Sequence, residues 1–142
     1  MRTLVVVPCK NAEQTIGRLV GAIREVDAAL DVLVVDDGST DGTGRAARDA
    51  GAAVIRHDTN RGKGAALRTG FGHAAGLGYD AVITMDGDLQ HDPAAIPAFL
   101  AALEAGEGGD IVIGTRMRAV GEMPRIRIWT NRTTSRVVSR LA

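Results

Sequence analysis

The chain is poor in aromatic residues, holds one cysteine, has no long apolar run and carries no net charge. Aromatics are only 3% of 142 residues, so any core must be aliphatic. Cys9 stands alone and cannot close an internal disulfide, and no charged-then-apolar signal segment precedes the first apolar run. The expected location is therefore cytoplasmic. No stretch approaches the ~18 apolar residues of a membrane helix. A formal charge of zero argues against a nucleic-acid module, which would carry a basic excess. The charge is nevertheless uneven: Arg116 to Ala142 contains seven Arg and one Glu, leaving the first 115 residues acidic.

What is present in quantity is glycine, 18 residues, and hydrophobic side chains, 45% of the chain. The length fits a single domain spanning residues 1–142. Thr3 to Val7 reads as a buried strand stopped by Pro8. Asn11, with Gln14 three residues on, reads as the N-cap of a helix carrying Ile16, Leu19, Val20, Ile23, Val26 and Leu30. Strands are expected at Val32 to Val35, Ala53 to His57, Ala81 to Met85 and Ile111 to Ile113. Between them lie a short helix stopped by Gly51, a helix bearing Leu67, Phe71 and Ala74, and a helix capped by Asp92 and Pro93. Alternation of this kind predicts an α/β fold: an open, mostly parallel, doubly wound sheet with helices on both faces and ligands beyond the strands' carboxyl ends. Residues 125–141 form a further pattern, a basic amphipathic helix with Trp129, Val137 and Leu141 beside an arginine stripe. Such a helix suits either peripheral contact with an anionic membrane or ordinary docking with a solvated face.

The chemistry lies in the acids. Asp36, Asp37, Asp86 and Asp88 each follow an apolar strand, so a parallel sheet would gather them along one rim. Carboxylates brought together repel unless a hard divalent cation offsets them, and Mg²⁺ commonly takes one or two carboxylates plus substrate phosphates. Gly87 lets the Asp86-Gly87-Asp88 turn tighten and lets a ligand approach the backbone. Taken singly, such acids are equally well turn formers and helix caps, as Asp41 and Asp92 are expected to be. Arg116, after the fifth strand, suits a diphosphate or an ordinary surface salt bridge, and Lys63 either neutralises a phosphate or is solvated. His57, His73 and His91 lack metal-ligand spacing and read as structural or exposed, with His91 near the acidic turn. Asn60 to Gly64 lacks P-loop spacing, Gly70 to Gly76 has one residue too many for GxGxxG, and the first turn, Pro8-Cys9-Lys10-Asn11, has no glycine. Hydride transfer is thereby disfavoured.

Five segments in order, VVVPCKN (Val5 to Asn11), VVDDGSTDGT (Val34 to Thr43), NRGKGAALRTG (Asn60 to Gly70), MDGDLQHDP (Met85 to Pro93) and IGTR (Ile113 to Arg116), resemble family 2 glycosyltransferases, especially the branch acting on polyprenyl or dolichyl phosphate. The resemblance implies a GT-A fold binding a nucleotide-diphosphate sugar, with Mg²⁺ or Mn²⁺, and transfer with inversion. It implies that Pro8 and Lys10 line the base and ribose pocket and that Asp36 and Asp37 hold base or ribose. It places Asp86, Gly87 and Asp88 in the DxD-type element, with Asp88 on the metal, Gln90 assisting it and Arg116 on the diphosphate. Asp88 and Arg116 are thereby the expected catalytic groups. Ala12 stands where the family commonly has an acid. Family domains continue into an acceptor-binding region, so the chain resembles the donor half. The rival expectations are a nucleotide-sugar-binding module without transfer and a metal-dependent phosphatase or nucleotidyltransferase. For the phosphatase, Leu89-Gln90 stands where haloacid dehalogenases continue with Gly-Thr.

Overall fold

A computed structural model describes residues 1–105 of the chain. Its first strand, β1 (Thr3–Cys9), is buried at all seven positions, as a run apolar on both faces requires. The elements α1 (Glu13–Val26), β2 (Asp31–Asp36), α2 (Thr43–Asp49), β3 (Ala53–Arg56), α3 (Lys63–Gly76) and β4 (Ala81–Thr84) follow. A short 3₁₀ turn, Pro93–Ala95, then leads into α4 (Ile96–Glu104). All three strand pairings are parallel, in the order β3-β2-β1-β4. The described residues belong to one compact unit, and none of their helices is long and apolar enough to cross a membrane. The expected fifth strand, Ile111 to Ile113, and the basic helix at 125–141 lie outside the described residues.

The sheet is covered on both faces, and period-two alternation along β1 decides which residue meets which layer. Val5, Val7 and Cys9 pack with Ile16, Leu19, Val20 and Ile23 of α1, Ala47 of α2 and Ile96 of α4. Leu4 and Val6 face the other way, with Leu33 and Val35, onto Ala66 and Ala74 of α3. This is the doubly wound arrangement, and the expectation of fold class holds.

The first helix ends at Val26, before Leu30, and β2 runs one residue further than expected at each end. Four other details also depart from expectation. First, β1 does not stop at Pro8 but runs on to Cys9. The Cys9 carbonyl accepts from the Asp37 N–H on the β2 side, and that of Val6 from the Met85 N–H on the β4 side. Backbone groups alternate between sides, so Pro8 faces β4, whose ladder ended at Val6, and its missing N–H costs no strand hydrogen bond. Second, α3 packs through small residues: Ala66, Gly70 and Ala74 are buried, whereas Phe71 is 45% exposed. A Cβ on Gly70 would lie 2.4 Å from Val6 Cγ1, so helix and sheet approach as closely as glycine allows. Third, β3 and β4 each end one residue earlier than expected, at Arg56 and Thr84. Fourth, Asn11 does not cap its own helix.

Candidate functional site

Capping of α1 comes from the β2–α2 loop. Asn11, in the left-handed region at φ 50, turns the chain into the helix but makes no cap bond there. The Ser39 hydroxyl accepts from the Asn11 N–H at 2.9 Å, the Thr43 hydroxyl from the Ala12 N–H at 2.8 Å, and Asp41 from the Glu13 N–H at 3.2 Å. Asn11 returns the contact, its side-chain Oδ1 accepting from the Thr40 N–H at 2.9 Å. The donated Thr43 hydroxyl holds the Asp41 carboxyl below its ordinary value, outweighing burial. Asp41 is thus a cap, as expected, and serves two helices: besides the α1 N–H it accepts from the Thr43 N–H at the start of α2 at 3.0 Å. The signal was legible as Ser, Asp and Thr at alternate positions; their target was not.

Beside this junction, at the carboxyl end of the sheet, opens a cavity of about 610 Å³. Pro8, Lys10, Asp37, Lys63, Asp86, Gly87 and Asp88 all line it, together with Asn11, Thr15 and Asn60. Seven residues singled out from the sequence therefore meet at one place.

Asp36 does not line it. As the last residue of β2 it shares the face of Val32 and Val34, and the carboxylate is fully buried toward the first turn of α2. Its Oδ1 accepts from the Ser39 N–H at 2.9 Å, while Oδ2 has no hydrogen-bond partner among the described residues and lies 3.7 Å from Arg56 Nη1. Strand alternation turns Asp36 inward, away from the cavity where a contact with base or ribose was expected, and only Asp37, one residue past the strand, reaches the rim.

Asp37 is itself tightly held. Its carboxylate accepts from the Arg61 N–H at 2.9 Å, the Gly62 N–H at 2.7 Å and His57 Nδ1 at 2.7 Å. Burial raises the carboxyl, but these three donors outweigh it and hold the group below its ordinary value. His57, 7% exposed, continues through Nε2 to the Thr69 hydroxyl at 2.9 Å. The network ties the ends of β2 and β3 to the start of α3 and so positions Lys63. His57 is structural, within the expectation for it, but its partners could not be read from spacing, being 20 and 12 residues away.

The Asp86-Gly87-Asp88 turn is fixed from three sides. The Thr15 hydroxyl of α1 donates to the Gly87 carbonyl at 2.7 Å, and a Cβ on Gly87 would lie 2.9 Å from that of Cys9. His91 Nδ1 accepts from the Asp86 N–H at 3.0 Å, and Asp88 accepts from the Gln90 N–H at 3.0 Å across Leu89, itself at φ 60. Lys63 Nζ stands 2.5 Å from Asp86 Oδ1. Asp92 caps the following turn by accepting from the Ala94 N–H at 3.0 Å, with Pro93 at its first position. Burial, and then the charges of Asp36 and Asp41, push the Cys9 thiol up to about 12.

Among the described residues no three His, Cys, Asp or Glu side chains cluster to hold an ion. What the cavity offers is two carboxylates on one short turn, Asp86 partly and Asp88 well exposed. Hard oxygen donors of that number fit a cation that takes its remaining ligands from phosphates and water. Gln90 is exposed and lies outside the cavity lining, and Arg116 lies outside the described residues.

Fold and site together define a doubly wound α/β domain whose strand-end cavity sets a lysine against a pair of aspartates. The model of Glycosyl transferase family 2 matches residues 4–137, and the chain belongs to this family. It is 38% identical over 128 residues to an undecaprenyl-phosphate mannosyltransferase of Micrococcus luteus, covering 87% of this chain and 51% of that protein. To a polyprenol monophosphomannose synthase of Mycolicibacterium smegmatis it is 36% identical over 121 residues, covering 81% and 45%. The chain thus spans about half the length of these relatives. Among solved structures, glucosyl-3-phosphoglycerate synthase of Mycobacterium tuberculosis with Mn²⁺, UDP-glucose and phosphoglyceric acid superposes with a TM-score of 0.62 at 31% identity, covering 75% of this chain and 40% of that one. A mannosyltransferase of Pyrobaculum calidifontis in complex with GDP-mannose and Mn²⁺ gives 0.55 at 33%, covering 61% and 27%.

Proposed function

We propose that residues 1–142 form the donor-binding domain of an inverting, metal-dependent glycosyltransferase that moves a sugar from a nucleoside-diphosphate donor to a polyprenyl phosphate. The observation that carries this reading is the meeting of Asp37, Lys63, Asp86 and Asp88 around one strand-end cavity. Mn²⁺ with a nucleotide sugar in two structural relatives, and lipid-phosphate acceptors in the names of two sequence relatives, support it.

Pro8 and Lys10 take the base and ribose, with Asp37 closing that side of the cavity. Asp86 and Asp88 would hold Mg²⁺ or Mn²⁺, with Gln90 assisting from the same turn, and the cation would neutralise charge on the diphosphate. Lys63 and Arg116 add positive charge where the leaving group becomes more anionic, which stabilises the transition state more than the ground state. A phosphate acceptor, with a second pKa of about 6, is already largely ionised at neutral pH and needs no strong general base. The basic helix at 125–141 would rest on an anionic membrane surface and bring the cytoplasmic domain to a lipid acceptor.

Thermal shift with UDP-, GDP- and dTDP-sugars, with and without Mn²⁺, tests the donor half of the proposal. One donor is expected to stabilise the wild type only when Mn²⁺ is present, and Asp88→Ala to lose that dependence. A folded wild type indifferent to every donor and metal combination refutes the reading. Stabilisation without sugar transfer to a polyprenyl phosphate, in a protein carrying its acceptor region, would leave a binding module.

A further inference from the structure

Lys63 opens α3, and its ammonium lies 2.5 Å from Asp86 Oδ1 with the lysine side chain 61% and the aspartate 32% exposed. Both line the cavity beside Asp88. An ion pair this open to water is held weakly and exchanges readily. Its placement nonetheless has consequences. The ammonium offsets the repulsion between two aspartates that share one turn. It also stands on an Asp86 oxygen that a divalent cation would need, and meets that cation as a like charge.

A diphosphate reverses the balance, because it brings anionic oxygens that both the ammonium and the divalent cation favour. The backbone of Lys63 is anchored from behind, the Arg61 and Gly62 N–H groups being held by Asp37. Its flexible four-carbon stem can therefore swing from carboxylate to phosphate while the helix start stays fixed.

Building on the donor reading above, we infer that Lys63 is an exchangeable counter-cation of Asp86, which opposes entry of a bare divalent cation and favours its entry together with a nucleoside diphosphate. Metal and donor are thereby coupled, and the coupling is reciprocal by linkage.

The test is the affinity of the full chain for Mn²⁺, read from the paramagnetic resonance signal of the free ion, alone and with UDP, GDP or dTDP. Lys63→Met and Lys63→Gln, which remove the charge from an exposed side chain, should bind Mn²⁺ alone roughly threefold more tightly or better. The same variants should lose at least as large a factor from the affinity gained on adding the nucleotide, and Lys63→Arg should behave as wild type. Unchanged or weaker binding of Mn²⁺ alone by both neutral variants overturns the inference. If the wild type with Mn²⁺ takes none of the three nucleotides, the donor reading itself fails. If it takes one while the neutral variants gain no affinity for Mn²⁺, only the role given to Lys63 fails.

Discussion

Asp37 is the residue on which the rim depends most, because a single buried carboxylate satisfies two backbone N–H groups and a histidine ring. Its carboxyl is held below the ordinary 3.8, so its ionised interactions add stability that is complete above that value. That stability drains away as pH falls through the lowered folded value. Asp37→Asn is expected to cost about 1–3 kcal/mol at neutral pH, because an amide cannot accept from all three donors. Melting temperature followed from pH 7 down to pH 3 should show the variant starting lower and falling less steeply than wild type. Equal slopes would mean that the carboxylate is not the linked group. Cys9, with its thiol pushed up to about 12 and 9% exposed, should in turn alkylate far more slowly in the native chain than in the unfolded one at pH 8.

For the elements, hydrophobic spacing identified strands and helices well but misjudged which face of α3 goes inward. Leu67, Phe71 and Ala74 form the obvious apolar set, yet the buried line is Ala66, Gly70 and Ala74. Periodicity measures where apolar side chains lie, whereas packing on a sheet of valines is decided by how closely the helix backbone can approach. Gly70→Ala is expected to destabilise by roughly 1–3 kcal/mol, since its Cβ would collide with Val6, itself fully buried. Denaturant unfolding of that variant against Gly72→Ala, on the same helix where a Cβ meets nothing, isolates the clash from helix propensity. A Gly70→Ala chain no less stable than the Gly72→Ala chain would contradict the packing described.

Across the whole molecule the cavity has no single owner. β1, α1, the β2–α2 loop, the start of α3 and the turn after β4 all contribute walls or supports. A ligand filling it should therefore stabilise the fold as a unit, by about 2.7 kcal/mol at a hundredfold excess over Kd, which corresponds to a melting shift of several degrees or more. The alternation of elements, the burial of β1 on both sides and the placing of acids after strands were determined by the amino-acid sequence alone, because those properties are local and periodic. Tertiary structure decided the rest. Only the folded sheet reveals that Asp36 turns inward while Asp37 faces the rim, that Ser39, Asp41 and Thr43 cap a helix lying before them, and that Lys63 meets Asp86. Each of these depends on a partner distant along the chain, whose distance and direction are set by the crossovers between strands and leave no mark on residue spacing.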